Sequence, residues 1–382
     1  MSVFITDLAA FLPNAPVGNA DIERVLGMVN DRPSHARNVI LRSNKIEARH
    51  YAIDPADGRV THTNAEMAAE AVRRLKPRGG FTTAEIECLC CGTATPDQLM
   101  PGHALMVHGE LASAPCEVIS TAGICLAGIA SLKHAYMSVA LGLTGNAVAT
   151  GSELASTLIR AQMWNDVDHQ QATDLGWQPK VAFDADFLRW MLSDGAGAAF
   201  LAARPEPGRP ALRVDWIDIV SFAHELEPCM YSGATKTADG RITGWRNHAS
   251  LHDAVRAGSF LVKQDVRLLN QEILRVAIDR ILPPLAARRG LDLSAVTWFV
   301  PHLSSGYFRQ RLADRMAAAG CAIPEDRWFT NLSTKGNTGS ASIYIILEEL
   351  FHSDRLRRGD TLFCIVPESG RFSVAYMLLT VV

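Results

Sequence analysis

Cys125 stands where a strand-like segment, Cys116 to Ser120, gives way to a long apolar helix pattern running from about Leu126 to Leu143. β-favouring Val118 and Ile119 lie on one side and good helix formers on the other. A thiol placed there faces the free N–H groups of a helix start. Those groups and the helix dipole favour the thiolate, which is the nucleophilic form. Taken alone, Cys125 also reads as a small buried hydrophobe, a common fate of free cysteines. His302, in TWFVPHLSSGYF, follows a β-rich run that ends at Pro301, and strand ends are where α/β proteins assemble sites. Asn337 lies in STKGNTGSASIYIILEEL, where Gly336 and Gly339 permit close approach of a ligand to the backbone. Each has an ordinary alternative: a histidine satisfying local hydrogen bonds, and an asparagine capping the next helix.

Together the three are harder to set aside, because each occupies a strand end or loop that leads into a helix. A thiolate takes an acyl group from a thioester, and two neutral donors hold an oxyanion or enolate. Asparagine is no base, so the trio suits a carbanion formed by loss of carbon dioxide. Ser369 and Gly370, in PESGRF at the end of a late strand, could offer a backbone N–H to an oxyanion beside that of Cys125. An ordinary strand-end turn explains them as well.

The elements that must position these residues occur twice. In the first half CEVIS, TAGIC, a buried helix, GLTGN and AVATGSE follow one another. In the second the order is RWFTNL, STKGNTGS, the helix ASIYIILEELFH, RLRRGD and TLFCIVPESG. A further strand follows in each, SDGAGAAFLAA and ESGRFSVAYMLLTVV. The parallel implies a duplicated α/β unit with buried strands and helices packed around them. The proline-rich stretch ARPEPGRPA, residues 203 to 211, divides the chain into a half at 1–203 that carries Cys125 and one at 204–382 that carries His302 and Asn337.

A chain of 382 residues with 48% hydrophobic content can bury a substantial core. A net charge of −3 provides no global field for nucleic acid or an anionic membrane. The eight cysteines lack the paired spacing of a zinc site and fit a reducing cytoplasm. The amino terminus lacks a basic signal-peptide region, and Lys133 with His134 interrupts the only long apolar stretch, so no membrane span is expected. His248 and His252 could share a helix face but lack a third ligand, and no metal is expected there.

With these features in place, the chain resembles the β-ketoacyl-acyl carrier protein synthase III group of thiolase-fold condensing enzymes. The resemblance rests on TAGICLAGIASLKHA, ATGSELAS at 149 to 156, LSDGAGAAFL at 192 to 201, VPHLSSGYF and KGNTGSASI. It implies a five-layered αβαβα fold of two duplicated halves, a homodimer, and a tunnel that admits a phosphopantetheine arm. Cys125 would carry the acyl group, while His302 and Asn337 would bind a malonyl- or β-ketoacyl-type thioester and stabilise its enolate. The acyl donor would be an acyl-CoA or acyl carrier protein thioester, with no separate cofactor. Met100, in TATPDQLMPGHA, matches a segment that reaches across the dimer to the partner's acyl pocket. Phe308 and Arg309 fall in the helix after His302, where substrate contacts are expected. Arg309, Arg311 and Arg315, with Arg355, Arg357 and Arg358, could meet an acidic carrier protein, or simply form solvated helix faces.

The chain departs from the group in ways that bear on substrate. Glu368-Ser369-Gly370-Arg371 replaces a glycine-rich run, and SSGYFRQ replaces the usual continuation after His302. The segment from Arg160 to Leu192, with Trp164, Trp177, Phe183, Phe187 and Trp190, is long and aromatic, as is Phe222 to Phe260. Such segments build either the tunnel mouth or ordinary core and dimer packing. These departures point to specialised metabolism, such as ketosynthases that build dialkylresorcinols. The same fold also supports acyl transfer to an oxygen or nitrogen nucleophile without decarboxylation. A papain-like protease shares the order Cys, His, Asn, but it has an aromatic residue after the thiol, where this chain has Leu126-Ala127-Gly128.

Overall fold

The structure is a computed structural model that describes residues 1–167 and 185–382. Nine strands form its main sheet: β1 Phe4–Phe11, β2 Cys88–Thr93, β3 Glu117–Ala122, β4 Asn146–Glu153, β5 Gly195–Ala202, β6 Leu212–Ser221, β7 Trp298–Pro301, β8 Thr361–Glu368 and β9 Ser373–Val381. Their spatial order is β7-β8-β9-β6-β1-β5-β4-β2-β3. The principal helices are α1 Asn64–Arg73, α2 His103–Leu111, α3 Leu126–Ala140, α4 Val266–Leu274, α5 Leu282–Arg289, α6 Tyr307–Ala318 and α7 Ser342–Phe351. A π-helical stretch, Arg275–Ile281, joins α4 to α5.

The duplication expected from the element order is visible in the pairing. In the first half β2 pairs in parallel with β3 and β4, and β5 returns antiparallel beside β4. In the second half β7 and β8 are parallel and β9 returns antiparallel beside β8. β1 and β6 close the two halves and touch each other through only two residue pairs, Phe4 with Arg213 and Ile5 with Leu212. The segment 203–211 connects β5 to β6.

One expected strand is reduced. RWFTNL, the counterpart of β3, makes a single parallel bridge between Trp328 and Phe299. The chain then turns into a short helix, Leu332–Lys335, which leaves no room for a longer ladder. Helix α3 also stops at Ala140, short of Leu143.

Five layers follow from what the apolar residues cover. Helices α3 and α7 lie between the two half-sheets, in a core shared by Ile129 and Leu132 of α3, Ile343 and Leu347 of α7, Cys90 and Leu201 of one half, and Cys364 and Met377 of the other. Helices α1 and α2 cover the outer face of the first half, and α4, α5 and α6 cover that of the second. A helix sandwiched between sheets must be apolar nearly all round, as α3 and α7 are. The close approach depends on glycine: a Cβ at Gly92 of β2 would lie 2.1 Å from the Ala127 carbonyl oxygen. Among the described residues no helix is long and apolar enough to cross a membrane.

Candidate active site

Cys125 is the residue immediately before α3 and is 7% exposed. Its surroundings reverse the thiolate expected from a helix start. Burial pushes the thiol well above the usual cysteine range, and the carboxylates of Glu368 and Glu153 push it further. Two of the donors counted on to stabilise a thiolate are already engaged. Glu368 Oε2 accepts the Ile124 N–H at 2.8 Å and the Leu126 N–H at 3.0 Å. The helix start therefore holds a carboxylate and leaves the sulfur protonated.

His302 follows β7, and its backbone N–H continues the ladder to Ile365 O at 2.9 Å. The ring is buried, and among the described residues its Nε2 has no hydrogen-bond partner. Burial lowers its pKa to about 4, so the imidazole is neutral. Asn337 is fixed on both sides. Its N–H donates to Met191 O, its carbonyl accepts from Ser193 N, and its Oδ1 accepts the Gly339 N–H at 3.1 Å. The side-chain NH2 is left as its donor. Gly336 and Gly339 have φ of 72° and 53°, and a Cβ at either would meet Ser193 or Glu153 at 2.8 Å. These glycines allow close approach of the protein to itself, and Gly339 also lines a cavity beside Asn337.

Two cavities adjoin this region. Cys125, His302, Ser369 and Phe308 line an apolar pocket of about 40 Å³ together with Leu269 and Leu312. Asn337, Glu368, Gly370 and Glu153 line a larger one of about 410 Å³. Glu368 stands at their seam, facing the larger cavity while it bonds the amides on both sides of Cys125.

Buried carboxylates organise the loops that meet here. Glu153 accepts from Ala94 N, Ser340 N and Thr95 Oγ1, and burial raises its pKa to about 7. Asp194, from LSDGAGAAFL, accepts from Ala52 N and from the backbone and hydroxyl of Ser156, from ATGSELAS. Two motifs of the sequence thereby become one clasp. Neither Glu153 nor Glu368 stood out as a site residue by type. The signal for Glu368 was its position at a strand end, where the resembling group carries glycine.

The remaining candidates fall elsewhere. Arg309 pairs with Glu325 at 3.3 Å and lies over the Trp328 ring, outside both cavities. Arg311 covers Tyr307, Arg315 pairs with Asp279 at 2.6 Å, and Arg355 covers Trp298. Met100 is 82% exposed and away from its own chain's cavities. His248 and His252 do not share a helix, since the helix begins at Leu251 and His248 bonds Ser259. The fold does bring Cys88 and Cys90 of β2 and His134 of α3 within 4.8 Å of one another, a grouping that linear spacing hides.

Of the aromatic segments, Trp164 and Trp190 are buried in cores. Met230, Tyr231 and Ser232, from the 222–260 region, line the larger cavity. Trp177 and Phe183 lie outside the described residues.

Residues 286–378 match the family described as 3-oxoacyl-[acyl-carrier-protein (ACP)] synthase III C terminal. The chain is 26% identical over 364 residues to β-ketoacyl-[acyl-carrier-protein] synthase III of Symbiobacterium thermophilum, covering 95% of this chain and 93% of that one. It is 24% identical over 367 residues to the synthase III of Chlorobium luteolum, covering 96% and 95%. Among solved structures, the tetronic acid condensing enzyme AbyA1 superposes with a TM-score of 0.73 at 21% identity, covering 99% of each chain. FabH of Pseudomonas aeruginosa PAO1 superposes with a TM-score of 0.72 at 18% identity, covering 100% of each. Over nearly its whole length, the chain is similar in sequence to enzymes named β-ketoacyl-[acyl-carrier-protein] synthase III, and it shares the fold of the solved synthase III structures.

Proposed function

We propose that this protein is an acyltransferase that carries out decarboxylative Claisen condensation through an acyl-Cys125 intermediate. The observation that carries the reading is the pairing of Cys125 with a neutral, unpartnered His302 Nε2 in one apolar pocket. Cys125 attacks an acyl thioester and its proton leaves with the departing thiol. A malonyl-type thioester then loses carbon dioxide. His302 Nε2 and the Asn337 side-chain NH2 donate to the enolate oxygen, and the enolate carbon displaces Cys125 from the acyl carbonyl. Burial favours this division of labour, since a neutral imidazole protonated at Nε2 donates a hydrogen bond without placing a charge in the apolar pocket. The Cys125 N–H and the Ser369–Gly370 backbone are proposed as the oxyanion donors.

The thioester arrives on coenzyme A or an acyl carrier protein, whose phosphopantetheine arm belongs to the substrate, so no resident cofactor is needed. Relatives named for acyl carrier protein support this class of donor. The Arg309 and Arg311 face is the proposed carrier contact. A homodimer is proposed through β3, the edge of the main sheet, whose flanks expose Leu105, Met137 and Leu141. Eight cysteines scattered without the spacing of a disulfide framework accord with a cytoplasmic location. The departure at Glu368 favours a specialised pathway, such as one making dialkylresorcinol-like products.

The test incubates the pure protein with a panel of acyl thioesters, locates the added mass at Cys125, and then supplies a malonyl thioester. Release of carbon dioxide with a new C–C bond is expected. Transfer of the acyl group to an amine or alcohol without that release would overturn the proposal.

A further inference from the structure

Glu368 ends β8 and is 9% exposed, yet only half of its carboxylate is engaged. Oε2 accepts the amides of Ile124 and Leu126. Among the described residues Oε1 has no hydrogen-bond partner, and the side chain lines the 410 Å³ cavity that also contains Asn337. Gly370 leaves that oxygen uncovered, since a Cβ there would lie 3.2 Å from it. A carboxylate that merely capped α3 would explain Oε2. It would not explain the second oxygen, which among the described residues takes no donor although its side chain lines a cavity shared with Asn337.

We propose that Glu368 is a catalytic base for an acceptor other than malonyl: a β-ketoacyl thioester, or a like carbon acid with its CH2 between two carbonyls. This rests on the acyl-Cys125 reading above and extends it to a non-decarboxylative condensation. Oε1 takes the α-proton as the C–H bond breaks, and His302 and Asn337 hold the enolate oxygen as they would for malonyl. The enolate carbon bonds to the acyl carbonyl carbon, and the C–S bond to Cys125 breaks. The proton on Glu368 then passes to the departing thiolate, which restores both groups and requires no further reactant. The second carbonyl matters because a carboxylate is too weak a base for a simple acyl thioester. Burial strengthens the base by raising the Glu368 pKa, against the two amide bonds that lower it.

The experiment is a single turnover from enzyme already acylated at Cys125, so acylation does not enter the rate. Wild type and Glu368→Gln each receive either a malonyl or a β-ketoacyl thioester. The ratio of the β-ketoacyl rate to the malonyl rate should fall about 100-fold or more in the variant. Glu368→Ala should regain β-ketoacyl turnover when acetate is added, which a merely structural role would not permit. Equal losses with both acceptors, an absence of rescue, or a variant that cannot be acylated would each overturn the proposal, since Glu368 would then only hold the Cys125 loop. Failure of the wild type to acylate at Cys125 would instead overturn the underlying condensing role.

Discussion

Glu368 Oε2 accepts the Leu126 amide hydrogen at 3.0 Å, which joins the end of β8 to the first turn of α3 across 242 residues of chain. The bond places a carboxylate where the thiolate of Cys125 would otherwise be stabilised. Alkylation of Cys125 by iodoacetamide should therefore be slow at pH 7 and climb about tenfold per pH unit without a plateau up to pH 10, because the thiolate fraction follows the raised pKa. Glu368→Gln removes the nearer negative charge and should speed alkylation several-fold at pH 7.5. A rate independent of pH from 7 upward would mean that the sulfur is already ionised.

The pH dependence of His302 has the opposite character. Its folded pKa lies at about 4, against 6.5 for an exposed histidine, because burial disfavours the charged ring. Between those values the unfolded chain binds a proton that the folded protein does not. The contribution of His302 to stability is thus complete above pH 6.5 and is lost as the pH falls toward 4, at up to about 1.4 kcal/mol per pH unit. His302→Asn lacks this slope, so urea unfolding at pH 7.5, 6 and 5 should show wild type losing its advantage over the variant as the pH falls. The difference between the two proteins cancels the other titrating groups, including His103, which shifts the same way, and Glu153, which shifts oppositely. A gap that does not change with pH would mean that the folded protein protonates His302 freely.

Much of the candidate site was legible because its parts are local. A strand-to-helix join marked Cys125, a strand end marked His302, and a glycine-flanked loop marked Asn337. The repeated order of elements also carried through to the pairing of β2, β3 and β4 against β7 and β8. What escaped depends on contacts distant in sequence. A glutamate at a strand end reads as a surface charge until β8 is laid against α3, and only then does it capture the amides beside Cys125. The thiolate expectation failed for the same reason, since it assumed that those amides were free. RWFTNL has the composition of a strand, but its backbone turns into Leu332–Lys335 after a single bridge.

The loop carrying Asn337 is held by glycines on other elements. A Cβ at Gly128 of α3 or Gly151 of β4 would lie 2.2 Å from the Ser340 carbonyl oxygen. Gly151→Ala must push residues 339–341 away and is expected to cost about 1–3 kcal/mol of stability. Because Asn337 begins this loop, condensation should fall further than acylation of Cys125. Urea unfolding together with separate assays of the two half-reactions checks this. Parallel losses in both half-reactions would show that the loop does not govern Asn337.

Phe308 closes the pocket that contains Cys125. The present space of about 40 Å³ has room for only a few waters, so a long acyl chain requires side chains there to move. Phe308 is 6% exposed and packs among the apolar residues between α4 and α6, so Phe308→Ala should destabilise the fold by about 3–5 kcal/mol. The vacated volume lies beside the sulfur, so the variant should shift its preference toward longer chains. Relative acylation rates with butyryl and dodecanoyl thioesters measure that shift. If stability falls while the ratio stays constant, the chain does not run past Phe308, and the larger cavity beyond Glu368 becomes its route.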